Sequence, residues 1–232
     1  MSLTRRSILR SIPAAAAAFS MVPRGFAADT EHVVVVGGGF AGCTVAKYLK
    51  IWSGGRIHVT LVEPREAHVS CVMSNLVLNE QLNLTDLSFG NDVLRRRYGV
   101  NVVHDTAIDI HESTRMLELK NGDPIAYDRL VVATGIKFDE IPGLDSTQVP
   151  HAWIAGWQTR LLRDQIRAMP DDGTFVMTIP EKPYRCPPGP YERACVVADI
   201  LGTRSGVLDS KALTGGVPRV VVLDANIGIQ AE

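Results

Sequence analysis

The chain has 232 residues, of which 46% are hydrophobic, and its 24 basic and 25 acidic residues give a formal net charge of −1. This length allows one large hydrophobic core or two small ones. The charge balance argues against the strongly basic proteins that bind nucleic acids or anionic membranes. The four cysteines have neither the spacing of a metal site nor that of a covalent haem attachment motif.

Residues 1–27 have the pattern of an export signal. Paired arginines, Arg5 and Arg6, precede an apolar, alanine-rich run, and Gly25–Ala27 offers small residues to a signal peptidase. The apolar run is too short to cross a membrane. We therefore predict a twin-arginine signal, export of the folded protein to the periplasm, and no membrane partner. A disordered, basic tail is the alternative interpretation.

The next element predicts a dinucleotide site. Val33–Val36 form a strand pattern that runs directly into the glycine-rich turn Gly37–Gly42, and a helical pattern follows at 43–50. Glycines let the backbone approach a pyrophosphate, and the free N–H groups of the helix face the phosphates. Glu63 ends the second apolar run, where a carboxylate can accept a hydrogen bond from a ribose hydroxyl. The predicted cofactor-binding residues are Gly37, Gly39, Gly42 and Glu63; the alternative is a turn that binds nothing.

The middle of the chain predicts a small antiparallel insert. Residues 67–75 have neither a helical nor a strand period, and 98–105 is typical of a loop that enters a strand. The apolar runs at 117–119 and 125–127 flank a turn and predict a hairpin. A buried strand at 130–133 then ends at Thr134-Gly135. An antiparallel insert within a parallel sheet is typical of flavoproteins with two dinucleotide-binding domains, so we predict a Rossmann-like α/β fold.

A second unit of similar order begins near His151. The pattern predicts helices at 157–169 and 191–201, and strands at 175–179 and 220–223. The loop between its first strand and the following helix contains Pro187, Pro188 and Pro190 where the first unit has glycines. Proline lacks an N–H donor and fixes φ, so this loop is a poor phosphate cradle.

Several motifs resemble the flavoprotein subunit of flavocytochrome c sulfide dehydrogenase. They are Gly37–Gly42, His68–Asn75, Val102–Asp105, His151–Trp153 and above all Arg185–Ala194. The resemblance implies a glutathione-reductase-like fold with an FAD-binding domain at 28–150 and a partial second Rossmann-like domain at 151–232. It also implies that members of the family continue beyond the position of Glu232, so that the chain is C-terminally truncated and has little activity alone.

The resemblance further implies roles for individual residues. Cys71 matches the cysteine that attaches FAD covalently, Cys186 matches one half of a redox disulfide beside the flavin, and Val103, Thr134 and Gly135 contact the cofactor. The family oxidises sulfide and passes electrons to a c-type cytochrome subunit in the periplasm. The alternatives are an inert loop cysteine at position 71 or 186, a nicotinamide- or quinone-linked flavin disulfide reductase, and a non-catalytic flavin-binding remnant.

Elementary sulfur chemistry supports the role of Cys186. A disulfide beside a flavin is an electrophile for hydrosulfide, and its opening leaves a persulfide and a thiolate that can reduce the ring. Glu192, six residues later, could move the proton, or it could be only an acidic residue at a helix N-terminus. Cys43 and Cys195 lie among apolar neighbours and are predicted to be small core residues.

Overall fold

The computed structural model describes residues 30–184, 186–205 and 219–228. The predicted export signal at 1–27 and Arg185 of the family motif lie outside the described residues. The architecture is α/β, as the sequence predicts. No helix of the described part of the chain has the length and apolar character needed to cross a membrane.

The helices and strands follow one another in a simple order. The elements are β1 His32–Val36, α1 Phe40–Trp52, β2 His58–Val62, β3 Ala67–Val69, α2 Asn75–Leu78, a 3₁₀ turn Leu84–Leu87, β4 Ser88–Gly90, α3 Asp92–Tyr98, β5 Asn101–Val103, β6 Ala107–His111, β7 Met116–Leu119, β8 Ile125–Ala126, β9 Arg129–Val132, α4 Trp157–Ala168, β10 Thr174–Ile179, α5 Gly189–Ser205 and β11 Arg219–Asp224.

The first unit is built on a parallel sheet with the strand order β5-β2-β1-β9. Val33 and Val35 of β1 pack on one face against Ala46 of α1 and Leu94 of α3. Parallel sheets require cover on both faces, which explains why β1 is a continuous run of β-branched residues. The carboxyl ends of β1, β2, β5 and β9 therefore meet at one edge.

The opposite face of this sheet is covered by the predicted antiparallel insert. Strands β6, β7 and β8 pair in sequence. Leu117 and Leu119 of β7 pack against Val34 and Val36 of β1. The predicted hairpin is confirmed, and β6 is an additional strand that pairs with its first half.

The second unit consists of the parallel pair β10–β11 and the helices α4 and α5. Its core contains Leu162 and Ile166 of α4 with Val197 and Leu201 of α5. Leu78, at the end of α2, packs into this same core. The segment that follows Cys71 therefore joins the two units by contact as well as by sequence.

Two expectations are wrong in detail. The segment 67–75 is not without regular structure, because β3 pairs with β4 and α2 begins at Asn75. A three-residue strand has too few residues to show a period and forms because its partner supplies the hydrogen bonds. Cys195 is exposed and Cys43 is half-buried, so Cys195 is not a core residue.

Candidate functional site

The glycine turn lies at the carboxyl end of β1. The Gly37 N–H donates to the Val62 carbonyl at 2.9 Å, and Gly37 has a φ of +104°. A side chain at Gly37 would overlap the carbonyl of Ala133, and one at Gly42 would overlap the carbonyl of Gly37. Both positions therefore require glycine for packing as well as for any ligand.

Gly39 is the residue that caps the N-terminus of α1. No side chain makes a capping hydrogen bond there, and no acidic residue lies in the first turn. The first N–H groups of a helix have no partner within the helix and carry the positive end of its dipole. This end of α1 can accept a phosphate, as the glycine spacing predicts.

Glu63 lies directly beside this turn. Its side chain is only 4% exposed, and its Oε2 accepts a hydrogen bond of 2.6 Å from the Gly38 N–H. The structure thus brings the predicted ribose-binding carboxylate against the predicted phosphate-binding turn. The Val103 carbonyl accepts a hydrogen bond of 3.0 Å from the Glu63 N–H, which fixes the end of β5 beside the same carboxylate.

Arg65 is a partner of Glu63 that the sequence interpretation missed. Its Nε donates to Glu63 Oε1 at 2.7 Å and its Nη2 donates to Oε2 at 3.2 Å. Burial alone raises the pKa of the Glu63 carboxyl, but the hydrogen bonds from Arg65 and Gly38 outweigh it and hold that pKa below its usual value. The carboxylate is therefore ionised at neutral pH, and both of its oxygens already accept hydrogen bonds from Gly38 and Arg65.

His68 provides two buried polar atoms without a partner. Neither Nδ1 nor Nε2 forms a hydrogen bond with any described residue. The ring lies edge-on to Phe40 with 5.0 Å between centroids, and a side chain at Gly39 would come within 3.9 Å of it. Burial, together with the nearby Arg65, lowers the pKa of His68. The imidazole is therefore neutral at neutral pH and has one donor and one acceptor nitrogen beside the turn.

Buried polar atoms without partners are costly unless a ligand satisfies them. The unpartnered His68 nitrogens, the glycine turn and the Glu63 carboxylate converge on one edge of the sheet. These residues fit the diphosphate and ribose of a dinucleotide such as FAD.

Thr134 and Gly135 lie at the same edge. The backbone of Thr134 directly faces Gly37, since a side chain at Gly37 would lie 3.2 Å from the Thr134 Cα. Gly135 has a φ of +82° with open space around it. Both predicted cofactor-contacting residues are therefore exposed at the edge where the glycine turn lies.

Cys71 is exposed in the turn that follows β3. The Ser74 N–H donates to the Cys71 carbonyl at 3.1 Å, and Ser70 and Ser74 on either side are buried. Cys71 lies three positions after His68, at most about 10 Å of extended chain. The thiol is therefore accessible and lies a short chain distance from His68, whose ring is beside the glycine turn.

Cys186 lies near the end of the loop between β10 and α5. It has a φ of +56°, a left-handed conformation that is unfavourable for a residue with a side chain. The Gly189 N–H donates to its carbonyl at 2.9 Å, and its Sγ would lie 3.0 Å from a side chain at Gly189. The thiol is exposed, so a small reagent can reach it.

Glu192 is exposed on the first turn of α5. Among the described residues, the structure records no hydrogen bond between its carboxylate and Cys186. All four cysteines lie in the described part of the chain, and none is paired with another. The roles of Glu192 and of a Cys186 disulfide therefore stay predictions.

An acidic residue also ends β11, in the position that Glu63 occupies after β2. This residue, Asp224, accepts a hydrogen bond of 2.5 Å from the Tyr191 hydroxyl and another of 2.9 Å from the Asn226 N–H. The Tyr191 bond and those from Asn226 lower the pKa of Asp224. In the second unit, the acid equivalent to Glu63 is therefore hydrogen-bonded to Tyr191 of the family motif and is not free for a ribose hydroxyl.

One surface group has the residue types of a metal site. Asp109, His111 and Glu118 lie together on the hairpin formed by β6 and β7, and Asp109 and His111 are exposed. His111 Nε2 lies 3.2 Å from Glu118 Oε2, within hydrogen-bonding distance. The group is far in sequence from the glycine turn and belongs to neither predicted site.

The fold and the glycine-turn site define a Rossmann-like dinucleotide-binding domain. The family profile of the pyridine nucleotide-disulphide oxidoreductases matches residues 31–158. The profile named "Sulfide dehydrogenase (flavocytochrome c) flavoprotein chain, central" matches residues 159–229. The chain belongs to the pyridine nucleotide-disulphide oxidoreductases and, within them, to the family of the sulfide dehydrogenase flavoprotein chain. Membership of this family implies a flavin cofactor.

Individual relatives agree with this assignment. The sulfide dehydrogenase (flavocytochrome c) flavoprotein chain of Chlorobaculum thiosulfatiphilum is 56% identical over 48 residues, which are 21% of this chain and 98% of that relative. The apoptosis-inducing factor homolog B of Dictyostelium discoideum is 29% identical over 107 residues, 46% of this chain and 26% of that protein.

Solved structures share the fold. The sulfide:quinone oxidoreductase of Aquifex aeolicus matches with a TM-score of 0.60 and 22% identity, over 76% of this chain and 41% of that chain. NDH2 from Plasmodium falciparum matches with a TM-score of 0.62 and 13% identity, over 88% of this chain and 49% of that chain. The chain thus spans less than half the length of these structures, and the predicted Rossmann-like flavoprotein fold is confirmed.

Proposed function

We propose that the protein to which this chain belongs is an FAD-dependent sulfide dehydrogenase that passes electrons to a c-type cytochrome. The observation that carries the proposal is the position of Cys186. It lies within the segment that matches the sulfide dehydrogenase profile, is exposed, and has a left-handed backbone conformation. Such conformations persist at functional sites because the surrounding structure fixes them.

The first unit would hold the cofactor. The N–H groups at the start of α1, with Gly37, Gly39 and Gly42 behind them, would face the diphosphate, and Glu63 would accept from a ribose hydroxyl. The free nitrogens of His68 would supply a further hydrogen bond. Cys71 would attach the flavin covalently, which would prevent its loss in the periplasm. When bound, FAD supplies a two-electron acceptor.

The second unit would supply the sulfur chemistry. With Cys186 in a disulfide, the sulfur of hydrosulfide would attack one sulfur of that bond. A new sulfur–sulfur bond forms as a persulfide, and the other cysteine leaves as a thiolate that carries the electron pair of the broken bond. Glu192 would accept the proton of the attacking sulfur. Export by the twin-arginine signal would place this reaction in the periplasm.

A sulfide-dependent assay with two matched cysteine variants tests the proposal. The protein expressed from its complete gene is mixed with sulfide and oxidised c-type cytochrome, and reduction of the haem is followed by absorbance. Cys186→Ser should abolish sulfide-dependent reduction, whereas Cys195→Ser should retain it, because Cys195 is also exposed but lies on α5 and not in the loop before that helix. Full activity in Cys186→Ser would contradict the proposal.

A further inference from the structure

Arg193 is a cation in the interior of the second unit. The residue is only 3% exposed. Its Nε donates to Asn75 Oδ1 at 3.1 Å, its Nη1 to the His151 carbonyl at 2.8 Å, and its Nη2 to the Ala152 carbonyl at 3.4 Å. The acceptors are an amide and two carbonyls, and no carboxylate of the described residues forms an ion pair with it. Each guanidinium nitrogen has one acceptor, but no carboxylate of the described residues is bonded to the group to neutralise its charge.

The guanidinium nevertheless stays charged at neutral pH. Burial lowers the pKa of Arg193 to about 10, while Glu192 and Cys186 act in the opposite direction. Buried charges without an ionic partner are costly, so their presence calls for a physical reason. Two groups among the described residues lie within electrostatic range of Arg193. One is the exposed carboxylate of Glu192, and the other is the sulfur of Cys186.

Cys186 and Arg193 both lie close to Trp153. The Arg193 guanidinium is stacked 3.8 Å from the centroid of the Trp153 ring. A side chain at Gly189, one turn before Arg193, would come within 3.0 Å of both the Trp153 ring and Cys186 Sγ. The ring covers one face of the guanidinium and excludes water from that face, so the field of the charge is screened less there than in bulk water.

We propose that Arg193 is a specificity-determining residue that gives the Cys186 sulfur a positive electrostatic potential and so favours attack by anions. The proposal rests on the proposed function, because it makes the hydrosulfide anion a better reagent at Cys186 than a neutral thiol or hydrogen sulfide. Arg193 does not touch the reacting sulfur. It acts through its charge, while the anion approaches Cys186 from solvent.

Two alkylating reagents measure this potential directly. Iodoacetate is an anion and iodoacetamide is neutral, and both react with the same cysteine thiolate. The ratio of their rates therefore reports the potential and cancels differences in thiolate content. Rates are resolved by mass spectrometry of peptides from the reduced protein, and Cys195 is the internal control. Cys195 is exposed and lies two residues after Arg193, about 200° around the helix.

The ratio at Cys186 should exceed that at Cys195 by about threefold or more at low salt, the effect of one nearby unit charge in a water-like dielectric. It should fall toward the Cys195 value in about 0.5 M KCl. Arg193→Met should remove the excess, Arg193→Lys should keep most of it, and Glu192→Gln should increase it. The ratio at Cys195 should change little in the two Arg193 variants, but Glu192→Gln should raise it as well, because Glu192 lies three residues before Cys195 on the same helix face.

The salt dependence of the wild-type protein keeps the test decisive if Arg193→Met does not fold. Equal, salt-independent ratios at the two cysteines would overturn the proposal, as would an unchanged ratio in a folded Arg193→Met protein. The outcome is separable from that of the proposed function. A protein that prefers iodoacetate at Cys186 but does not reduce cytochrome with sulfide would refute the proposed function alone.

Discussion

The Glu63 carboxylate offers the sharpest test of how the glycine turn is stabilised. It accepts four hydrogen bonds, one from the Gly38 N–H and three from Arg65. Glu63→Gln keeps the shape but replaces one acceptor oxygen by an NH₂ group that faces donors. The side chain is 4% exposed, so at least one donor loses its partner in a buried environment. We expect the free energy of unfolding to fall by about 2 kcal/mol, since a buried unpaired donor costs about 1–3 kcal/mol.

A second ion pair on the surface provides the matched control. Glu80 and Arg167 are joined at 3.1 Å, but both side chains are more than half exposed. Exposed pairs contribute about 0–1 kcal/mol, so Glu80→Gln should have a small effect. Urea unfolding of the wild type and both variants at pH 7, followed by circular dichroism, measures the difference. Equal losses in the two variants would show that the Glu63 contacts do not stabilise the turn.

The same variants predict the direction of the pH dependence. The pKa of folded Glu63 lies below its unfolded value of about 4.3, so its contribution is complete above that value and is lost as the pH falls through the folded pKa. The difference in unfolding free energy between the wild type and Glu63→Gln should therefore shrink on acidification below about pH 4. A difference that stays constant from pH 7 to pH 3 would refute the charge-based explanation.

Three further predictions concern the two sites. Gly37→Ala should destabilise the protein by clearly more than Gly55→Ala, as paired unfolding curves would show. Both residues have a positive φ, which costs about 1–2 kcal/mol for a residue with a side chain, but only at Gly37 would the methyl group overlap backbone atoms. Flavin should stay with the acid-precipitated protein in the wild type and be released from Cys71→Ser; freely extractable wild-type flavin would contradict covalent attachment. NADH and NADPH should neither bleach the flavin absorbance nor bind in calorimetry, because the Tyr191 hydroxyl is hydrogen-bonded to Asp224 and the loop before α5 is rich in proline. Rapid bleaching by either nucleotide would favour the nicotinamide-linked reductase.

The sequence predicted the parts of the structure that local pattern determines. The order of β1, glycine turn, α1 and β2 follows from a run of valines, glycine spacing and a helical period, all between His32 and Val62. Long-range contacts were not predictable in this way. Arg193 looks like a surface residue in a first helical turn, yet it continues the buried stripe of Val197 and Leu201 at four-residue spacing. Cys195 falls out of phase with that stripe, which explains why it is exposed.

The two units differ most where they are topologically equivalent. After β1 the chain has glycines and a free helix N-terminus, whereas after β10 it has prolines and Cys186. Each unit has an acid at the end of its next strand, but Glu63 faces the turn while Asp224 is bonded to Tyr191. One unit is therefore suited to phosphate and the other to sulfur.

The reaction proposed for the protein also requires that these two units stay in a fixed relation. The bond from Arg193 to Asn75 joins the helix that follows Cys186 to the segment that follows Cys71, and Leu78 packs in the core of the second unit. In the proposed reaction, the cysteine that would hold the flavin and the cysteine whose disulfide hydrosulfide would attack must keep a constant separation for electrons to pass between them. The buried guanidinium thus has two consequences at once, because the same group that sets the charge beside Cys186 also anchors the Cys71 segment against it.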